Sequence, residues 1–229
     1  MKPMELILQK KSQASRFPNR RGAFSLFELL VIVAILCLLV ALLPVMLAKA
    51  RAKSSKIGCV NDLKQTGLSC LIFANDHDDR YPWQLSTNQG GSLELLALQP
   101  TVAQLFRSMS NELSTPKVLL CPNDATRTWA TNWASLTDSN ISYFIGLDAR
   151  DTAPQMMLSG DRNLETKGIP VGSGLFLLST NTVVGWTKAI HQNLGNVCLG
   201  DGSVQQLTSS RLTQQVQTQG LATNRLLIP

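Results

Sequence analysis

Residues able to do chemistry are sparse in this chain, so each can be weighed by its spacing. There are two histidines and five cysteines. His191 is followed, after nine residues, by Asp201-Gly202. An imidazole near a carboxylate is the pairing of a general base and the group that orients it. No third partner completes a catalytic set. Gly172-Ser173-Gly174 lacks the Gly-x-Ser-x-Gly pattern of a nucleophile elbow, and His77 sits in the acidic run Asp76-His77-Asp78-Asp79. The same spacing fits a strand and a hairpin turn locked by His191 against Asp201 or the turn backbone. That structural lock is the expected role of His191, Asp201 and Gly202, and no catalytic residue is expected.

The cysteines point to structure as well. Cys37 lies in an apolar run and serves there as a small apolar residue. Cys59 and Cys70 are 11 residues apart on an expected helix, about 16 Å along its axis, which is too far for a bridge. Cys121 and Cys198 remain, and an exported compartment would let them pair. No Cys-x-x-Cys and no His/Cys cluster at ligand spacing occurs, so neither a metal nor a cofactor is expected. Asp76, Asp78 and Asp79 offer oxygens for calcium, but the glycine and distal glutamate of an EF-hand loop are missing. Asx residues running into Pro82 read instead as a helix stop and turn.

Glu28 is the remaining carboxylate of note. It opens a run of 20 residues without a charge that ends at Lys49. A helix of that length spans about 30 Å, enough to cross a hydrocarbon core. A carboxylate on such a segment calls for a partner. Of the net charge of +6, residues 1–23 carry +5, through Lys2, Lys10, Lys11, Arg16, Arg20 and Arg21 against Glu5. Basic residues beside an apolar span mark the cytoplasmic side, so the charge belongs to topology and no nucleic-acid partner is expected. The cluster Lys49, Arg51, Lys53, Lys56 narrows this asymmetry. A cleaved signal peptide would use Ala50-Arg51-Ala52, but its apolar core would exceed the usual length. A plain signal anchor explains the apolar run and leaves Glu28 unexplained.

These residues need elements to position them. The spacing predicts one helix from Phe24 to about Asn75, interrupted only by Pro44, with an apolar stripe at Ile57, Val60, Leu63, Gly67, Leu68, Leu71 and Ala74. Gly90-Gly91 reads as a turn, Leu93–Phe106 has weak helical spacing, and Lys117–Cys121 reads as a short strand. Further strands are expected at Ile141–Ile145, Leu175–Leu178, Thr182–Trp186, Asn196–Leu199 and Ser203–Leu207. Asp201-Gly202 is the turn between the last two, and a helix follows at Arg211–Gln219, capped by Gly220. The expected class is α+β, with a long helix packed on a small antiparallel sheet. Its parts are a basic leader (1–23), a transmembrane helix (24–48), an amphipathic continuation and turn (49–83) and an exported β-rich domain (84–229).

The segment Ala23-Phe24-Ser-Leu-Phe-Glu28 resembles the N-terminus of type IV pilins and type II secretion pseudopilins. Ala48–Lys53, Cys59–Gly67, Phe73–Pro82 and the His191, nine-residue, Asp201-Gly202 spacing look like a group of prepilin-type proteins of planctomycete and verrucomicrobial bacteria. Ile141–Phe144, Gly160-Asp161-Arg162-Asn163 and Leu221–Arg225 are similar to that group too. The resemblance covers about 20–83 and 141–229. It implies cleavage by a prepilin peptidase between Ala23 and Phe24, methylation of the Phe24 amine, and pairing of that amine with Glu28 of a neighbouring subunit. It also implies an inner-membrane assembly platform and other pilin-like subunits as partners, in a single-pass protein with its N-terminus inside. Ala23 stands where Gly is usual. A cut after Gly22 would place Glu28 sixth, whereas a cut after Ala23 places an aromatic first and Glu28 fifth. Cys37 stands where a small residue is common. The alternative is a membrane-anchored binding domain that displays Trp83, Trp129, Trp133 and Trp186 and does not polymerise.

Overall fold

From Leu26 no glycine interrupts the chain until Gly58, and Leu, Ile, Val and Ala dominate the first half of that stretch. Such a sequence holds a helix, and α1 runs from Leu26 to Asp76, continuing through Pro44. The computed structural model describes residues 24–229. The expected leader and the Ala23 side of the cleavage site lie outside the described residues. Contacts divide the chain into two units that meet between Leu47 and Ala48.

In the second unit α1 is followed by two short helices, α2 (Leu93–Leu98) and α3 (Val102–Ser108), and by 3-10 turns. The strands are β1 (Tyr143–Gly146), β2 (Met157–Asp161), β3 (Leu164–Thr166), β4 (Ile169–Pro170), β5 (Gly174–Ser179), β6 (Val184–Trp186), β7 (Leu194–Leu199) and β8 (Val204–Thr208). Helix α4 (Ser209–Thr218) and strand β9 (Thr223–Ile228) follow. Six strands form an antiparallel sheet in the order β5-β9-β1-β2-β7-β8, and three form a second sheet in the order β4-β3-β6. The class is α+β, as the sequence predicts.

The central strands β1, β2 and β7 of the larger sheet are buried on both faces, while the edge strands β5 and β8 keep exposed residues. Tyr143, Ile145, Leu158, Cys198 and Leu227 pack with Cys59, Leu63, Cys70 and Phe73 of α1 and with Trp83, Leu105 and Phe106. On the other face Phe144, Met157, Val197, Leu199 and Leu226 pack with Trp186 and with Leu212 and Val216 of α4. The stripe that α1 buries is Cys59, Leu63, Thr66, Gly67, Ser69, Cys70, Phe73 and Ala74. Ile57 and Leu68, expected in that stripe, are exposed. The buried face is therefore rotated towards smaller residues, because α1 lies close against β7. A Cβ at Gly67 would stand 2.2 Å from Cys198 Sγ. Gly67→Val is expected to cost about 1–3 kcal/mol by overpacking, read as a lowered denaturation midpoint of the purified protein. An unchanged midpoint would contradict this close approach.

Several local expectations are corrected. Lys117–Cys121 is no strand: Pro116–Leu119 is a 3-10 turn whose N-cap Thr115 accepts from the Lys117 N–H. Leu93–Phe106 divides into α2 and α3 around Pro100, whose ring cannot donate to a continuous helix. After α1 the chain turns through Asp78 and Asp79, with φ of 54° and 58°. His77 stacks on Phe73 and its Nδ1 lies 2.8 Å from the Phe73 carbonyl oxygen. Trp83 and Trp186 are core residues, and Trp129 is the exposed member of the four tryptophans.

Candidate functional site

The first unit presents an unusual surface. Residues 24–44 are all exposed, and the most apolar stretch of α1 has mean hydropathy 3.3 with none of it buried. Each exposed Leu, Ile, Val or Phe would gain about 1.5–3 kcal/mol on full burial, so this surface favours an apolar environment over water. Among the described residues, one helix is long and apolar enough to cross a membrane. At its start the Ser25 N–H donates to Glu28 Oε2 at 2.9 Å, and the Glu28 N–H donates to Ser25 Oγ at 3.2 Å. This is a capping box, Ser-x-x-Glu, in which each side chain satisfies a backbone donor that the helix leaves free. Glu28 thus has a partner within its own chain. Sequence reasoning singled out Glu28 and missed Ser25, although the Ser25–Glu28 spacing is the signal for it.

The second unit holds a buried polar cluster around the turn Cys121-Pro122-Asn123-Asp124. Cys121 forms a disulfide with Cys59 of α1, with Cα atoms 4.7 Å apart. Cys198 is a free, buried thiol beside Gly67, so the expected Cys121–Cys198 pair is corrected. The error was one of elimination: helical spacing excludes a Cys59–Cys70 bridge but says nothing of Cys59 and a distant loop. Next in the turn, the Asn123 side-chain amide lies 3.3 Å from His191 Nδ1. Asp124 then accepts two hydrogen bonds from Arg162, at 2.8 and 2.9 Å, and others from Ser142 and Thr126. Burial raises the Asp124 carboxyl, and the Arg162, Thr126 and Ser142 contacts more than offset this, so it stays below its usual range.

His191 is 1% exposed and enters β7 through Gln192 and Asn193, both at positive φ. Its Nε2 lies 3.5 Å from Cys121 Sγ, 3.1 Å from Asn196 Nδ2 and 3.3 Å from Asp161 Oδ2. Asp161 Oδ2 also accepts from the Asn196 backbone N–H at 2.6 Å and from its Nδ2 at 3.0 Å. Burial pushes the Asp161 carboxyl up to about 7 and lowers His191, to which nearby Lys56 adds. The low-dielectric surroundings thus disfavour charge on both members. The carboxylate that meets His191 is Asp161, and the expected His191–Asp201 lock is corrected. Asp201 is exposed and accepts from the Ser203 N–H at 2.9 Å. Gly202, at φ 77°, makes the β7–β8 turn as expected.

Cys121, His191 and Asp161 have the types of a nucleophile, a base and its orienter. The thiol is consumed in a disulfide, and the three side chains are at most 1% exposed. A cleft of about 550 Å³, lined by Trp83, Leu96, Asp148, Met156 and Arg225 among others, shares no residue with them. As it stands, the cluster binds α1, the 121–124 turn, β2 and β7 together. No known family model matches the chain, and neither a curated protein nor a solved structure does.

Proposed function

We propose that this chain is a pilin-like or pseudopilin-like structural subunit. Its apolar helix holds it in the cytoplasmic membrane and then packs against the helices of other subunits in a filament. The observation that carries this reading is an uncovered, charge-free apolar helix with one carboxylate at its first turn, continuous with the helix that enters the folded domain. Processing between Ala23 and Phe24 would put a new amine beside the Glu28 end of a neighbouring helix. In apolar surroundings such a pair fixes register, as a buried polar residue does in a coiled coil, and apolar contact supplies the bulk of the association. Prepilin peptidase and an inner-membrane assembly platform are the partners this reading requires.

The capping box supplies a sharp test. Glu28→Gln keeps the capping hydrogen bond, since Gln serves at that position, but removes the charge. Ser25→Ala removes half the box and keeps the charge. Subunit crosslinking in membranes and in sheared surface fractions should fall for Glu28→Gln and persist for Ser25→Ala. Equal crosslinking from Glu28→Gln and wild type would favour a membrane-anchored domain that does not polymerise. Equal losses from both variants would assign Glu28 to helix capping alone.

A further inference from the structure

We propose that the dithiol form of this protein binds one divalent transition metal of the zinc class through Cys59, Cys121 and His191, with the Asp161 carboxylate beside the ion as a positioning partner. The ligand atoms of Cys59, Cys121 and His191 lie within 4.8 Å of one another, and all three residues are buried. The distances from His191 Nε2 are those of ligands sharing a tetrahedral ion, while the two sulfurs, bonded to each other here, part on reduction. With zinc–sulfur bonds of about 2.3 Å and zinc–nitrogen or –oxygen bonds of about 2.0–2.2 Å, neighbouring ligand atoms stand about 3.3–3.8 Å apart. His191 Nε2 is 3.5 Å from Cys121 Sγ and 3.3 Å from Asp161 Oδ2.

Two further features point to a ligand. Asp161 is fully buried, and its Oδ1 has no hydrogen-bond partner, a costly arrangement for a carboxylate. A cation beside the carboxylate removes that cost. Asn123, 3.3 Å from Nδ1, accepts the Nδ1 proton when its amide oxygen faces the ring, which leaves the Nε2 lone pair for the metal. The Asn196 side-chain amide, now within 3.1 Å of Nε2 and 3.0 Å of Asp161 Oδ2, gives way to the ion. The Asn196 backbone N–H keeps its bond to Oδ2.

The chemistry is a two-electron exchange. A dithiol or phosphine reductant delivers two electrons to the Cys59–Cys121 bond, two protons are taken up, and two thiols form. The reductant leaves as its disulfide or phosphine oxide, with water supplying the oxide oxygen. The metal then displaces both thiol protons, and the two sulfurs separate to span it. Two thiolates with one imidazole select zinc over magnesium or calcium. The same two cysteines thus close the cluster covalently when oxidised and, with His191, through an ion when reduced.

Co²⁺ reports the geometry. Full-length protein in detergent, reduced with a water-soluble phosphine, should take up one Co²⁺ per chain. It should show the intense visible ligand-field bands and the thiolate charge-transfer band of a tetrahedral site. Zn²⁺ should bleach these bands, and Mg²⁺ should not. The oxidised protein should show neither band. Asp161→Asn should weaken Co²⁺ binding about 10- to 100-fold, and His191→Ala should abolish the tetrahedral spectrum. Because reduction alone costs stability, the melting temperature of reduced wild type is read in parallel and should rise with Zn²⁺ but not Mg²⁺. The proposal is overturned if reduced wild type binds no stoichiometric Co²⁺ or gives the pale spectrum of an octahedral oxygen site. It is overturned equally if the reduced chain stays unfolded in excess Zn²⁺, or if the oxidised protein binds as well.

Discussion

Cys59→Ala/Cys121→Ala should lower the stability of the folded domain by about 4 kcal/mol, the chain-entropy value for closing a loop of this length. The loop is long because the bridge joins residues 62 apart in sequence, one on α1 and one on the 121–124 turn. Replacing both cysteines removes the cross-link without leaving one of its own two thiols unpaired. The midpoint of chemical denaturation in metal-free buffer reads the effect. Phosphine treatment of wild type should reproduce it and should leave the double variant unmoved. Cys198→Ala distinguishes this pairing from the one that elimination suggested. With the Cys59–Cys121 bridge in place, that variant keeps its sensitivity to reductant. Loss of that sensitivity in Cys198→Ala would refute the pairing.

Arg162→Ala should cost about 3 kcal/mol, the low end for removing one partner of a buried pair. Asp124 is 1% exposed while Arg162 retains 19%. What is lost is a bidentate hydrogen bond, and what remains is a buried carboxylate held only by Ser142 and Thr126. The effect depends on pH. In wild type the folded carboxyl titrates below its unfolded value of about 3.9, so the pair's contribution is complete above that value. It is lost as pH falls through the lower, folded one. In the variant, burial acts without the guanidinium and raises the carboxyl. Its protonation then relieves the variant at a pH where wild type is still ionised. The gap between the two proteins should narrow on going from about pH 7 to about pH 4. Arg127, Asp161 and His191 also face this region, and Arg127 limits the rise because it stays positive. A gap constant over that range would show that Asp124 stays ionised without Arg162.

What could be read from the residues follows from which patterns survive burial. Helix α1 was legible because its charge-free run and its three–four spacing are long. The β7–β8 hairpin was legible because Asp201-Gly202 demands a turn. Strands β2 and β9 were not, since β2 is buried along its whole length and β9 along most of it. A strand buried on both faces shows no alternation. The 84–140 region stayed obscure because it folds through short turns that lack a period. Asp161 and Arg162 stood in a segment noted only for its resemblance. Two adjacent charged residues beside an otherwise uncharged buried strand were the available signal. Their partners, Asn196, His191 and Asp124, lie 30 or more residues away in sequence, where spacing rules have no reach.

Strand β9 follows every other strand in chain order, yet it sits between β5 and β1 and pairs with both. The sheet is therefore split until β9 arrives, and no earlier strand can take its place without leaving ladder bonds unmade. Contacts this far apart in sequence close slowly. For a chain whose apolar helix comes first, that delay has a kinetic benefit. Under the export that the proposed function entails, the polypeptide would stay unfolded and threadable during passage across the membrane and lock into shape once β9 has crossed.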